Sequence, residues 1–138
     1  IKTLSVRMKQ HNENAIAVSN FLTNHSKINK VFFPGIDARY KEIAAKQMDG
    51  FGGMMSFILD TNIDGVKSFL KNLNIFTLAE SLGGVESLIE HPAIMTHASI
   101  DPSIREKLGI SDTLLRISVG IEDVDDLIAD LDQALSKI

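Results

Sequence analysis

The chain has 138 residues, 44% of them hydrophobic and 23% charged, which is one domain's worth of sequence with enough apolar material for a real core. A net charge of −4 argues against nucleic acid or an anionic membrane as partner, and without cysteine this chain offers no disulfide, thiolate metal site or thiol nucleophile. No apolar run approaches the roughly 18 residues of a membrane-spanning helix, and the cysteine-free composition fits a reducing, cytoplasmic setting.

The chain opens on Ile1 and goes straight into helical pattern, so it is expected to be a piece of a longer polypeptide. Leu4, Met8, His11, Ala15, Val18 and Leu22 recur at spacings of three and four, which predicts a helix over 3–24 with Thr3 as its N-cap. His11 falls inside that stripe and reads as a packed, hydrogen-bonded side chain rather than a catalytic one. Lys30-Val31-Phe32-Phe33 predicts a short strand, stopped by the turn signal Pro34-Gly35. A second helix is expected over 37–47, burying Tyr40, Ile43 and Ala44, with Gly50 at its end. The strand Met54–Leu59 follows. Gly50, Gly52 and Gly53 do not make a phosphate loop, because here a helix leads into a strand and the phosphate-cradling order is the reverse.

A third helix is predicted over 63–73, with Val66, Phe69 and Leu70 inside, and a strand over 75–78. Residues 79–99 then settle into neither period, apart from a short strand over 87–89. A short helix is expected over 102–108, ended by Gly109. The strand Leu114–Val119 has two unlike faces: Leu115, Ile117 and Val119 on one, and Leu114, Arg116 and Ser118 on the other. The last helix starts at Asp123 and buries Val124, Leu127, Ile128, Leu131 and Leu135. The acidic run Glu122–Asp126 therefore reads as helix capping and solvation, not as a metal site. This order of elements predicts an α+β fold, an α/β sandwich in which helices cover a small mixed or antiparallel sheet.

Little enzyme chemistry is visible in the bare residues. The histidines at 11, 25, 91 and 97 have no ligand spacing, and there is no G-x-S-x-G nucleophile turn. What remains is the loop Ser81-Leu82-Gly83-Gly84, whose glycines allow close backbone approach to a ligand, with the carboxylate of Glu80 beside it. Arg116 adds a guanidinium fork, the usual partner of a carboxylate. Together these suggest an amino-acid-sized ligand. A glycine turn and a structural ion pair account for the same residues equally well. An unpaired charge is costly to bury, so the Arg116 face must meet solvent, a ligand or another domain.

The wording of three stretches goes further: Ala79-Glu80-Ser81-Leu82-Gly83-Gly84-Val85-Glu86-Ser87-Leu88-Ile89, Met95-Thr96-His97-Ala98, and Leu115-Arg116-Ile117-Ser118-Val119-Gly120-Ile121-Glu122-Asp123. With Arg7-Met8, Asn14-Ala15, Phe33-Pro34-Gly35 and Lys46-Gln47-Met48, they resemble the C-terminal portion of the pyridoxal-phosphate (PLP) enzymes of cysteine and methionine metabolism. The likeness runs over essentially the whole chain. It implies that residues 1–138 are the small C-terminal domain of a fold-type I PLP enzyme, whose large cofactor-binding domain is not in this chain. It also implies a homotetramer acting on small amino-acid substrates.

In that family the large domain supplies the lysine that holds the cofactor, in a serine–x–threonine–lysine setting that no lysine here has. The chain by itself is therefore expected neither to bind PLP nor to turn over substrate. By the same resemblance Arg116 clamps the substrate α-carboxylate, Ser81 lies at that carboxylate, and Glu80 sets specificity. A glutamate at 80 resembles cystathionine γ-synthases and γ-lyases, where methionine γ-lyases carry an apolar residue. Val85-Glu86-Ser87-Leu88-Ile89 leans to the bacterial synthase type. The expected reaction of the whole enzyme is thus γ-replacement on an acylated homoserine by cysteine, ahead of γ-lyase cleavage and of a non-catalytic binding or oligomerisation module.

Overall fold

The computed structural model describes residues 1–138. The helices are α1 (Leu4–Asn24), α2 (Lys41–Gln47), α3 (Ile63–Lys71), α4 (Pro102–Lys107) and α5 (Val124–Leu135). The strands are β1 (Ile28–Phe32), β2 (Met54–Leu59), β3 (Thr77–Leu78), β4 (Leu88–Glu90) and β5 (Leu114–Ser118). Every element expected from sequence is present, in the expected order. The strands form one mixed sheet, β1-β2-β5-β4-β3, antiparallel throughout except for the parallel β3–β4 edge.

Strand alternation decides what each face of this sheet carries. Pairing sets Phe57 opposite Leu115, and Met55 and Ile89 opposite Ile117, and all five are buried. Against them lie Ala15, Val18 and Leu22 of α1, Val66 and Phe69 of α3, and Leu127, Leu131, Ala134 and Leu135 of α5, in one cluster of 18 buried residues. Phe57 and Phe69 meet edge to face, with centroids 6.2 Å apart at 88°. The other face carries Ser56, Arg116 and Glu90 in one cross-strand row. Neither α2 nor α4 packs substantially on any strand, so helices cover one side of the sheet only.

At two boundaries that differ from expectation, a side chain has captured the backbone. β3 keeps only two residues because the Asp130 carboxylate of α5 accepts the amides of Asn74, Ile75 and Phe76 at 2.8, 2.8 and 3.1 Å, drawing them away from the sheet. α2 begins at Lys41, not near 37, since Asp37 accepts the Arg39 amide and holds a local turn there. Only Ala44 of its expected apolar face is buried; Tyr40 and Ile43 are exposed. α2 also ends at an extended Met48 rather than on Gly50. Thr3 precedes α1 but makes no side-chain cap bond. Leu4 and Met8 stay half-exposed because a helix of 21 residues, about 30 Å long, outruns strands of about 20 Å.

Candidate functional site

β5 is paired on both sides, by β2 and β4, and this fixes the backbone that carries Arg116. Glu90, the last residue of β4, stands directly opposite it. Arg116 Nη2 donates to Glu90 Oε2 at 2.7 Å; the glutamate side chain is 2% exposed and the arginine 28%. The second carboxylate oxygen is also occupied, by the Thr96 hydroxyl at 3.0 Å. That hydroxyl also lies 2.8 Å from His97 Nδ1. Its one proton goes to Glu90, so the imidazole Nδ1–H is the donor in that contact. Nε and Nη1 of Arg116 take no partner within the chain and are not sealed from solvent.

The glycine loop is anchored to the same side of β5. The Gly83 amide donates to Ser118 Oγ at 2.8 Å, and Ser118 shares its strand face with Arg116. Gly83 holds φ at +75°, a conformation that favours glycine. Further along, Gly120 lies against the Val85 carbonyl, where any Cβ would collide with it. Ser87 then braces the loop: its amide and hydroxyl donate to Glu122 at 2.6 and 2.9 Å, and its hydroxyl accepts from the Gly120 amide at 2.8 Å. Asn14 of α1 donates to the carbonyls of Gly120 and Glu122. Glu122 is therefore a tertiary tie, more than the capping and solvation expected of its acidic run.

Of the three residues singled out from sequence, Arg116 stands on the open sheet face, while Glu80 and Ser81 are exposed in the loop after β3. Neither loop side chain makes a hydrogen bond, and neither reaches Arg116. What joins the loop to the arginine strand is the Gly83–Ser118 bond. Glu90, the role of Thr96 and the bond from Gly83 to Ser118 were not legible beforehand, because they depend on strand register and on turns folding back. Beside the loop opens a largely apolar cleft of about 390 Å³, lined by Met8, Met48, Phe51 and Met54 and reaching Gly83 and Ser118. His11 borders it but is 4% exposed and bonds the Val119 carbonyl at 2.7 Å, the packed histidine expected. Burial holds the His91 imidazole below its ordinary value, with Nε2–H donating to the Asp112 carbonyl at 2.8 Å.

The family profile of the Cys/Met metabolism PLP-dependent enzymes matches residues 1–136. The chain belongs to that family. The cystathionine gamma-lyase of Dictyostelium discoideum is 56% identical over 138 residues, covering 99% of this chain and 36% of the relative. The cystathionine beta-lyase of Lactococcus lactis subsp. cremoris (strain MG1363) is 54% identical, with the same coverage. Cystathionine gamma synthase from Xanthomonas oryzae pv. oryzae, in a crystal structure with cystathionine, superposes with a TM-score of 0.93 at 50% identity, over 98% of this chain and 35% of that one. The chain thus spans about a third of the length of the relatives it matches.

PLP is the family's cofactor, but the residues present do not fit it on their own. No lysine of this chain is buried or lines the cleft by Gly83 and Ser118, so none is placed to hold an aldehyde there. What this chain does offer a PLP-dependent enzyme is a rigid strand that presents a guanidinium, and a loop whose backbone is pinned beside it. That arrangement can bind and orient a carboxylate.

Proposed function

We propose that this chain is the C-terminal, substrate-binding domain of a PLP-dependent transsulfuration enzyme, and that Arg116 holds the substrate α-carboxylate. One observation carries the reading: Arg116 is fixed by Glu90 through a single nitrogen, while Nε and Nη1 stay without a partner on the open sheet face. A planar fork with free donors on a rigid strand suits the carboxylate that amino-acid substrates share. Ser81 and the following backbone lie along that carboxylate, and Glu80 faces the distal end of the substrate. The large domain that holds the cofactor covers this face in the whole homotetrameric enzyme. The chain alone is inert, and borohydride reduction after mixing it with PLP traps no stoichiometric adduct at one lysine.

Two reactions fit. γ-Replacement, which forms cystathionine from an acylated homoserine and cysteine, is supported by the Xanthomonas relative; cleavage of cystathionine is supported by the higher identity to the Dictyostelium γ-lyase. Both need the same carboxylate clamp. In the full-length enzyme, Arg116→Lys keeps the charge and loses the fork. It is expected to lower kcat/KM for L-cystathionine by about 10- to 150-fold, the worth of a charge-assisted hydrogen bond of about 1.5–3 kcal/mol. Cofactor absorbance and thermal stability should stay near wild type. Near-normal kinetics would remove Arg116 from the site, and assaying acylated homoserine plus cysteine beside cystathionine separates the two reactions.

A further inference from the structure

We propose that Glu90 is a positioning residue, which aims the Arg116 guanidinium so that its free donors face the substrate carboxylate. The inference rests on the carboxylate-binding reading of Arg116 given above. A glutamate as deeply buried as Glu90 needs partners for both oxygens, and here Thr96 takes one and Arg116 the other. The carboxylate is thus held by the turn after β4 independently of the arginine, which makes it a fixed post. Register does the rest, because Glu90 stands directly opposite Arg116 on a paired strand. The two-nitrogen fork is the strongest form of such a pair. This one engages Nη2 alone and leaves Nε and Nη1 open.

Two effects of Glu90 on a bound carboxylate oppose each other. Its negative charge weakens the pull of Arg116, while its grip spares the substrate from having to order a long, flexible side chain. Glu90→Asp holds the charge constant and withdraws the post by one methylene; Glu90→Gln keeps the reach and an acceptor and removes the charge. A positioning role that depends on reach therefore makes aspartate the more damaging change, whereas a pair that holds Arg116 by charge alone makes glutamine the more damaging one.

The test is a double-mutant cycle in the full-length PLP-loaded enzyme with L-cystathionine as the probe. Glu90→Asp should lower kcat/KM about tenfold, within the range of directly coupled residues, and should have no further effect once Arg116→Leu is present. Glu90→Gln should lose less than Glu90→Asp in the otherwise wild-type enzyme. Equal losses with and without Arg116→Leu, or a larger loss for glutamine than for aspartate, would overturn the inference. If Arg116→Leu by itself leaves kcat/KM unchanged, the carboxylate-binding reading fails first and the positioning role falls with it. Thermal melts accompany each variant. Should Glu90→Asp not fold, the same cycle run with Glu90→Gln decides: a loss, however small, confined to enzyme that retains Arg116 supports the role, and an additive one or none refutes it.

Discussion

Leu115 and Ile117 are fully buried, and Arg116 between them keeps 28% of its side chain exposed. Three neighbouring residues on one strand thus live in two environments. On the covered face, stability comes from dense apolar packing against α1, α3 and α5, where every lost atom leaves a cavity. On the open face, order comes from a few directional bonds, Arg116 to Glu90 and Gly83 to Ser118, that tie each group at one point and leave the rest of it available. The same backbone can therefore be rigid on one side and receptive on the other.

The sharpest way to break that contrast is from the covered side. Phe57→Ala removes a ring with no exposed surface and should destabilise the domain by about 3–5 kcal/mol, read from the urea unfolding midpoint. A loss below about 1 kcal/mol would mean that α3 and the sheet can close over the space.

Asp130 is the one charged side chain buried among the covering helices, and it sharpens the comparison through pH. Burial pushes its carboxyl up, but the amides of Asn74, Ile75 and Phe76, with Gln133, pull harder, and the net result lies below the ordinary 3.8. The folded state thus binds this proton less tightly than the unfolded chain does. Its stabilisation is complete above about pH 3.8 and drains away as pH falls through the lower folded value. Asp130→Asn should cost about 1–3 kcal/mol at neutral pH by leaving backbone donors poorly paired. Thermal melts taken down to about pH 2.5 should show the gap to wild type narrowing. A gap that ignores pH would reduce Asp130 to its shape.

The smallest effect is expected on the open side, at Glu80. Its side chain is exposed and has no partner in this chain, so only a charge brought by the substrate or the large domain can engage it. In the full-length enzyme, Glu80→Val should shift the ratio of specificity constants for cystathionine over methionine by no more than about fivefold, the reach of a surface charge near 1 kcal/mol. A ratio that does not move would leave Glu80 a solvated loop residue.

How much of this was legible follows from the same physics. Periodicity gave the long helices and strands, because burying one face demands a repeat, while turn and cap signals gave the short α4. It could not give the start of β3, where Asp130 reaches back across 54 to 56 residues to take three amides, nor the true start of α2, where Asp37 holds a turn. At the site, Arg116 and the Ser81–Gly84 loop stood out by residue type and motif. Glu90 did not, since a partner across a strand pair is visible only once the register is known.

The place of β5 in chain order has a consequence for how the protein is made. It is the ninth of ten elements and yet it lies between β2 and β4, so the sheet has no middle until residues 114–118 exist. At synthesis rates of about 5–20 residues per second, the apolar faces of α1, β2 and α3 wait several seconds on the ribosome with only the separate β1–β2 and β3–β4 pairs able to form. Such a topology leaves those faces exposed until β5 emerges, and a nascent chain halted before Leu114 should be more sensitive to protease than the complete chain.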